Sequence, residues 1–145
     1  GWEAHQAFRL RRQGYLDVLA KHGLTPIEVT APPIDDRHAQ GEAAAAQLLA
    51  ISPAIDAVFA ASDTLASGIM RGLQEAGLRV PADVAIVGFD GGFGARQSTP
   101  ALTTIEQDVA SAGEMLVEAL FGQAEPEGGI GKAFVPVQLV VRGSS

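Results

Sequence analysis

The 145-residue chain has no cysteine, one tryptophan, one tyrosine and three histidines. Without cysteine there is no disulfide framework and no thiolate nucleophile, and the composition fits a reducing compartment. His5, His22 and His38 are too far apart to form the short-spaced pairs of a zinc site, so no metal is expected. Positive charge is scarce: 10 Lys and Arg face 17 Asp and Glu, a formal net charge of −7. With a sequence pI near 4.8, this segment is not expected to grip nucleic acid itself. The basic charge is also uneven. Residues 1–22 carry four Lys and Arg against two acids, so +2, which leaves −9 for the remainder. No apolar run approaches the ~18 residues of a membrane span. The opening Gly1-Trp2-Glu3-Ala4-His5 lacks the basic start and apolar core of a secretory signal. Enzyme signatures are missing too. There is no Gly-x-Ser-x-Gly elbow, the glycines at 88, 91, 92 and 94 do not make Gly-x-Gly-x-x-Gly, and Gly131-Lys132 is followed by alanine. No catalysis and no cofactor are therefore expected.

What is present is ordinary for a soluble globular protein, 47% hydrophobic and 19% charged. The length suits one α/β domain or part of a larger one. The organising stretch runs from Asp56 to Gly77. Residues 57–61 form an apolar run too short for a helix, which predicts a strand buried on both faces. Ser62-Asp63 then offer helix-capping side chains. Leu65, Ile69 and Leu73, with Ala66 and Met70 beside them, define one helical stripe that Gly77 closes.

Before it, residues 4–22 read as a helix with Phe8, Arg11, Tyr15, Val18 and Leu19 on one face. Residues 26–30 read as a short strand, 31–36 as a loop, and 37–50 as a helix that Ser52-Pro53 breaks. After it, residues 84–89 are a second continuous apolar run ending on Asp90, followed by an expected flexible loop, Gly91 to Gly94. Residues 100–106 look extended, and Asp108 is placed to cap a helix striped by Val109, Ala112, Leu116, Ala119 and Leu120. Residues 123–131 read as a surface turn. Residues 133–141 read as a last strand, with Pro136 marking an edge or a strand end. Phe121 and Phe134 are expected in the core, and Trp2 at a terminus. The alternation of helix and strand predicts an α/β fold with a mostly parallel sheet flanked by helices. No first strand precedes the first helix, which reads as a fragment.

Two turns repeat one design. Strands 57–61 and 84–89 both end in carboxylates, Asp63 and Asp90, at the same edge of the sheet, where open α/β sheets bind ligands. A carboxylate accepts paired hydrogen bonds from the hydroxyls of a polyol, and bonds to a charged group contribute roughly 1.5–3 kcal/mol each. Asp63 fits a helix cap as well as a ligand contact; Asp90, with no strong helix behind it, favours the ligand. Arg11, on an apolar face, either clamps a ligand with its planar fork or snorkels at a boundary. Arg9, Arg12 and Arg37 read as a solvated face.

Several segments together resemble one family. Asp56-Ala-Val-Phe-Ala-Ala-Ser-Asp-Thr-Leu-Ala-Ser-Gly68, Gly77-Leu-Arg-Val-Pro-Ala-Asp-Val-Ala-Ile-Val-Gly-Phe-Asp90 and Pro100-Ala-Leu-Thr-Thr-Ile-Glu-Gln-Asp108 resemble the LacI/GalR bacterial transcriptional regulators. So do Arg11-Arg-Gln-Gly-Tyr15 and the closing Val135-Pro-Val-Gln-Leu-Val-Val-Arg142. The resemblance covers essentially the whole chain and is to the C-terminal half of the effector-binding core. It implies a periplasmic-binding-protein-like fold with two subdomains hinged around a small-molecule cleft. Residues 1–107 would form the C-terminal subdomain, 108–135 would cross to the N-terminal one, and 136–145 would return as a closing strand and tail.

The resemblance also assigns residues. The family's ligand arginine falls on Arg11, its contact asparagine on Ser62, and its acid after Gly-Phe on Asp90. A sugar-stacking aromatic of some members falls near Asp36, where none is present. Ser62 is shorter than the usual amide, and Gly91 stands where a second Asp is common. The implied function is cytoplasmic: a homodimeric regulator binds a small-molecule effector, most plausibly a sugar, and the binding controls operator affinity. DNA would be met only through an N-terminal helix-turn-helix outside these residues. The alternative is a transporter's periplasmic sugar-binding protein of the same fold.

Overall fold

The computed structural model describes residues 6–51, 55–121 and 134–145. Trp2, His5, Ser52-Pro53 and the turn expected at 123–131 lie outside the described residues. The described elements run α1 (Gln6–Lys21), α2 (Arg37–Ile51), β1 (Ala57–Phe59), α3 (Asp63–Glu75), β2 (Ala85–Asp90), α4 (Phe93–Gln97), β3 (Thr103–Gln107), α5 (Val109–Leu120) and β4 (Val137–Val140). The sheet order is β1-β2-β3-β4. The first three strands are parallel and β4 is antiparallel to β3, with Ile105 opposite Leu139. This is the mostly parallel, helix-flanked α/β sheet that the alternating pattern predicts.

The core lies where α2 and α3 pack together over one sheet face. It holds Ala44, Ala45, Leu48, Ala66, Ile69, Met70, Leu73, Val84, Ile86 and Leu102. The stripe of α3 points inward as its spacing requires, and Leu73 has no exposed surface. Ser62 caps α3 by accepting from the Leu65 amide at 3.4 Å, and Gly77 follows the helix at φ +89°. Small residues bring α2 and α3 together: a Cβ on Gly68 would strike the His38 carbonyl, and one on Gly41 would strike that of Leu65. The C-terminal tail stitches the sheet. The buried Ser144 hydroxyl donates to the Ile86 carbonyl at 2.6 Å and accepts from the Thr103 amide at 2.8 Å.

Four expectations are corrected. Residues 26–30 form no strand, because none of the described strands pairs with them; Val29 packs against the core instead. β1 is not buried on both faces: among the described residues it pairs with β2 alone, and at this edge Phe59 stays 41% exposed. The loop at 91–94 is short, because Gly92 starts the helical turn α4 at Phe93. The apolar stripe of α5, for which no burial was expected, lies open, with Val109, Leu116 and Leu120 exposed. Phe121 and Phe134, expected in the core, are exposed as well. The caps behave as their chemistry dictates: Asp108 accepts from the Ser111 amide at 3.0 Å at the head of α5.

Candidate functional site

Parallel strands β1 and β2 end at one rim, and the polar residues that follow them gather there. Along β2 the side chains alternate between faces. Ile86 and Gly88 are buried on the α3 side, and Phe89 turns to the other. Arg11 of α1 reaches the rim over Phe89, its guanidinium carbon 3.6 Å from that ring's centre and 5.1 Å from that of Phe8. Its Nη1 donates to the Ala61 carbonyl at 2.7 Å, and its Nη2 lies 3.7 Å from Asp90 Oδ1. The arginine fork is thus held by a carbonyl, a carboxylate and an aromatic face. The bend after β1 and the end of β2 meet in this one side chain.

Asp90 ends β2 with φ +119°, and Gly91 follows at φ +75°. A non-glycine residue there is rare and needs support from its surroundings. Glu106 sits directly beneath Gly91, where a Cβ would lie 2.5–2.8 Å from Glu106 atoms. Glu106 is itself held by Arg142 and, at 3.4 Å, by Arg96. The Asp90 carboxylate remains 44% exposed and accepts from Gln107 Nε2 at 3.2 Å. Burial raises its pKa and the neighbouring Asp63 adds to this, whereas Arg11 and Arg37 pull the other way. Burial lowers the pKa of Arg11, against the attraction of Asp90. For both partners the effect of burial thus exceeds that of their mutual attraction at 3.7 Å.

The other two sequence candidates sit differently. Ser62 is buried, and its hydroxyl is engaged in the α3 cap. Asp36 is exposed and caps α2, accepting from the amides of His38 at 2.7 Å and Ala39 at 3.3 Å. Its contacts among the described residues are local to that turn. Its neighbour Arg37 acts on Asp90 electrostatically. Asp63, read as a cap or a ligand contact, does not cap α3, since Ser62 does; its carboxylate accepts from Thr104 Oγ1 and from the Gly92 amide. Phe89 and Gln107 are site neighbours that sequence reasoning missed. The available signal was their position, one beside Asp90 in β2 and one at the end of the adjacent β3.

Among the described residues no cluster of His, Asp or Glu could hold a metal, and no helix is long and apolar enough to cross a membrane. A shallow concavity of about 520 Å³ runs along α5, lined by Val109, Gly113 and Val117 among others. Arg11 and Asp90 are not in its lining, and it is an open apolar surface. The convergent donors and acceptors, Arg11 and Asp90, are at the strand rim.

The carboxyl edge of an open, mostly parallel α/β sheet is where such folds bind ligands. Residues 3–145 match the family model of the periplasmic binding protein-like domain, and the chain belongs to that family. Within it, the similarity is to LacI-type regulators. The chain is 34% identical over 131 residues to the HTH-type transcriptional regulator CelR of Thermobifida fusca, covering 90% of this chain and 37% of that protein. It superimposes on the structure of a CelR–cellobiose complex with a TM-score of 0.77 at 33% identity, covering 93% of this chain and 42% of the other. A sugar-binding LacI-family regulator from Escherichia coli, complexed with phosphate, gives a TM-score of 0.77 at 28% identity, with 93% and 49% covered. The chain therefore spans less than half the length of these proteins. Each of them is a transcriptional regulator.

Proposed function

We propose that this chain is the effector-binding and dimerisation part of a LacI-type transcriptional regulator that takes a sugar at the Arg11–Asp90 rim. The observation that carries the reading is the half-exposed Asp90 carboxylate 3.7 Å from an arginine fork stacked on Phe89. A sugar's vicinal hydroxyls would donate to Asp90 and accept from Arg11, with bonds to charged groups on both sides. Ser62 and Asp36 belong to the same rim in this reading. Ser62 would act through water because its own hydroxyl caps α3, and Asp36 by shaping the turn that carries Arg37.

The rim has one wall, and the second would come from an N-terminal subdomain. The uncovered stripe of α5 supports a division in which residues 1–107 form the C-terminal subdomain, 108–135 cross over and 136–145 return. The mechanism is linkage. An effector that binds one subdomain arrangement more tightly shifts the population toward it. In a dimer that shift would change the spacing of two N-terminal DNA-binding heads, in the cytoplasm, without catalysis or cofactor. The regulator similarity favours this over a transporter's binding protein.

A thermal-shift screen of sugars and sugar phosphates on the full-length protein tests the reading. At least one neutral sugar should raise the melting temperature, and Arg11→Ala and Asp90→Ala should each abolish the rise while leaving the unliganded protein folded. Normal binding by both variants would retire the assignment.

A further inference from the structure

Asp63 is 8% exposed, and both oxygens of its carboxylate are occupied by groups from other elements. Oδ1 accepts from Thr104 Oγ1 of β3 at 2.5 Å, and Oδ2 accepts from the Gly92 amide at 2.8 Å. Gly88 of β2 lies underneath, with no room for a Cβ against Asp63 Oδ1. The Gly92 amide is the exit of the Asp90–Gly91 reversal, whose two residues both have positive φ. The entry of that reversal is fixed by the parallel ladder, with Asp90 opposite Glu106. Its exit is fixed by Asp63 alone among the side-chain bonds described. An unsupported turn of this kind would relax toward ordinary dihedrals and swing the Asp90 side chain away.

We infer that Asp63 is a positioning residue for effector binding, bridging α3, β3 and the Gly92 amide so that the Asp90 carboxylate is held facing Arg11. This rests on the reading that Arg11 and Asp90 take the effector. The Gly92 amide can only donate and needs an acceptor, whereas the Thr104 hydroxyl donates or accepts. Asparagine therefore keeps both bonds, accepting from Gly92 and donating to Thr104, and Asp63→Ala removes both. Thr104→Val removes the hydroxyl but leaves the Gly92 bond. The charged groups that act on Asp90 are Arg11 from α1, Arg37 from α2 and Asp63 from α3. Removing the Asp63 charge thus also removes one influence that holds the Asp90 proton.

The test uses the full-length protein with 13C-labelled aspartate carboxyls, the Asp90 signal being assigned by its loss in Asp90→Asn. Wild type, Asp63→Ala, Asp63→Asn and Thr104→Val are titrated with acid and, separately, with cellobiose, lactose, sucrose and glucose. Asp63→Ala should shift the Asp90 signal and weaken the wild type's sugar by about tenfold or more. Asp63→Asn, which removes the charge but keeps both bonds, should move the Asp90 midpoint to lower pH yet bind within about threefold of wild type. Thr104→Val should lower the melting temperature yet bind within about twofold of wild type. An Asp90 signal unchanged by Asp63→Ala, or shifted equally by Asp63→Asn, would overturn the inference. So would a loss of binding that simply follows lost stability across the variants. If no sugar binds wild type while Asp63→Ala still moves Asp90 further than Asp63→Asn does, the positioning role stands and the effector reading falls.

Discussion

Asp83 and Asp90 titrate in opposite directions for reasons visible in their neighbours. Asp83 is partly exposed and takes both a side-chain fork and a backbone amide from Arg79, which lowers its pKa to about 2. An unfolded aspartate titrates near about 3.9, so between the two values the folded chain binds fewer protons. The stability Asp83 contributes is complete above that window and is lost as pH falls through it. Urea unfolding of wild type and Asp83→Asn between pH 5 and pH 2 should show the variant losing less stability on acidification. Asp90 has its pKa raised, chiefly by burial. Its ionised form, the one that accepts hydroxyls, is therefore depleted at a higher pH than usual for a carboxylate. Sugar affinity should fall as pH drops through that raised value, and calorimetry across pH 4 to 7 reads it. At Gly91, positive φ and the Glu106 contact act together. Gly91→Ala should cost about 2–3 kcal/mol in urea unfolding, the sum of a left-handed penalty and a local clash.

Elements were legible where a single period decides the outcome. The stripe of α3 fixed that helix from Leu65 to Leu73, and its burial follows; Leu73→Ala should cost about 2–5 kcal/mol by chemical denaturation. The second apolar run gave β2 for the same reason. What failed depended on partners rather than on local preference. Among the described residues, 26–30 have strand-like composition but no ladder, and β1 has an apolar pattern but one neighbour. The start of α4 was hidden because glycines read as flexible, whereas the Gly92 amide is tied by a carboxylate 29 positions earlier. The candidate site shows the same division. Arg11 stood out as a charge on an apolar face and Asp90 as an acid closing a buried strand. Phe89 as the arginine's platform and Asp63 as a bridge emerge only when β2, β3 and α3 are assembled.

At the scale of the molecule, the exposed stripe of α5 and the open rim are two aspects of one arrangement. Val109, Leu116, Leu120 and Phe121 present an apolar surface larger than scattered side chains require. The 145-residue chain on its own should therefore self-associate in light scattering, and Leu116→Glu with Leu120→Glu should reduce that without disturbing the core under α3. The receptor reading depends finally on what meets Asp90 and Arg11. A crystal structure of the full-length protein with a sugar selected by thermal shift tests this most directly. The account predicts sugar hydroxyls at hydrogen-bond distance, about 2.6–3.2 Å, from both the Asp90 carboxylate and the Arg11 fork. A sugar bound elsewhere, with those two side chains still facing only each other, would contradict it.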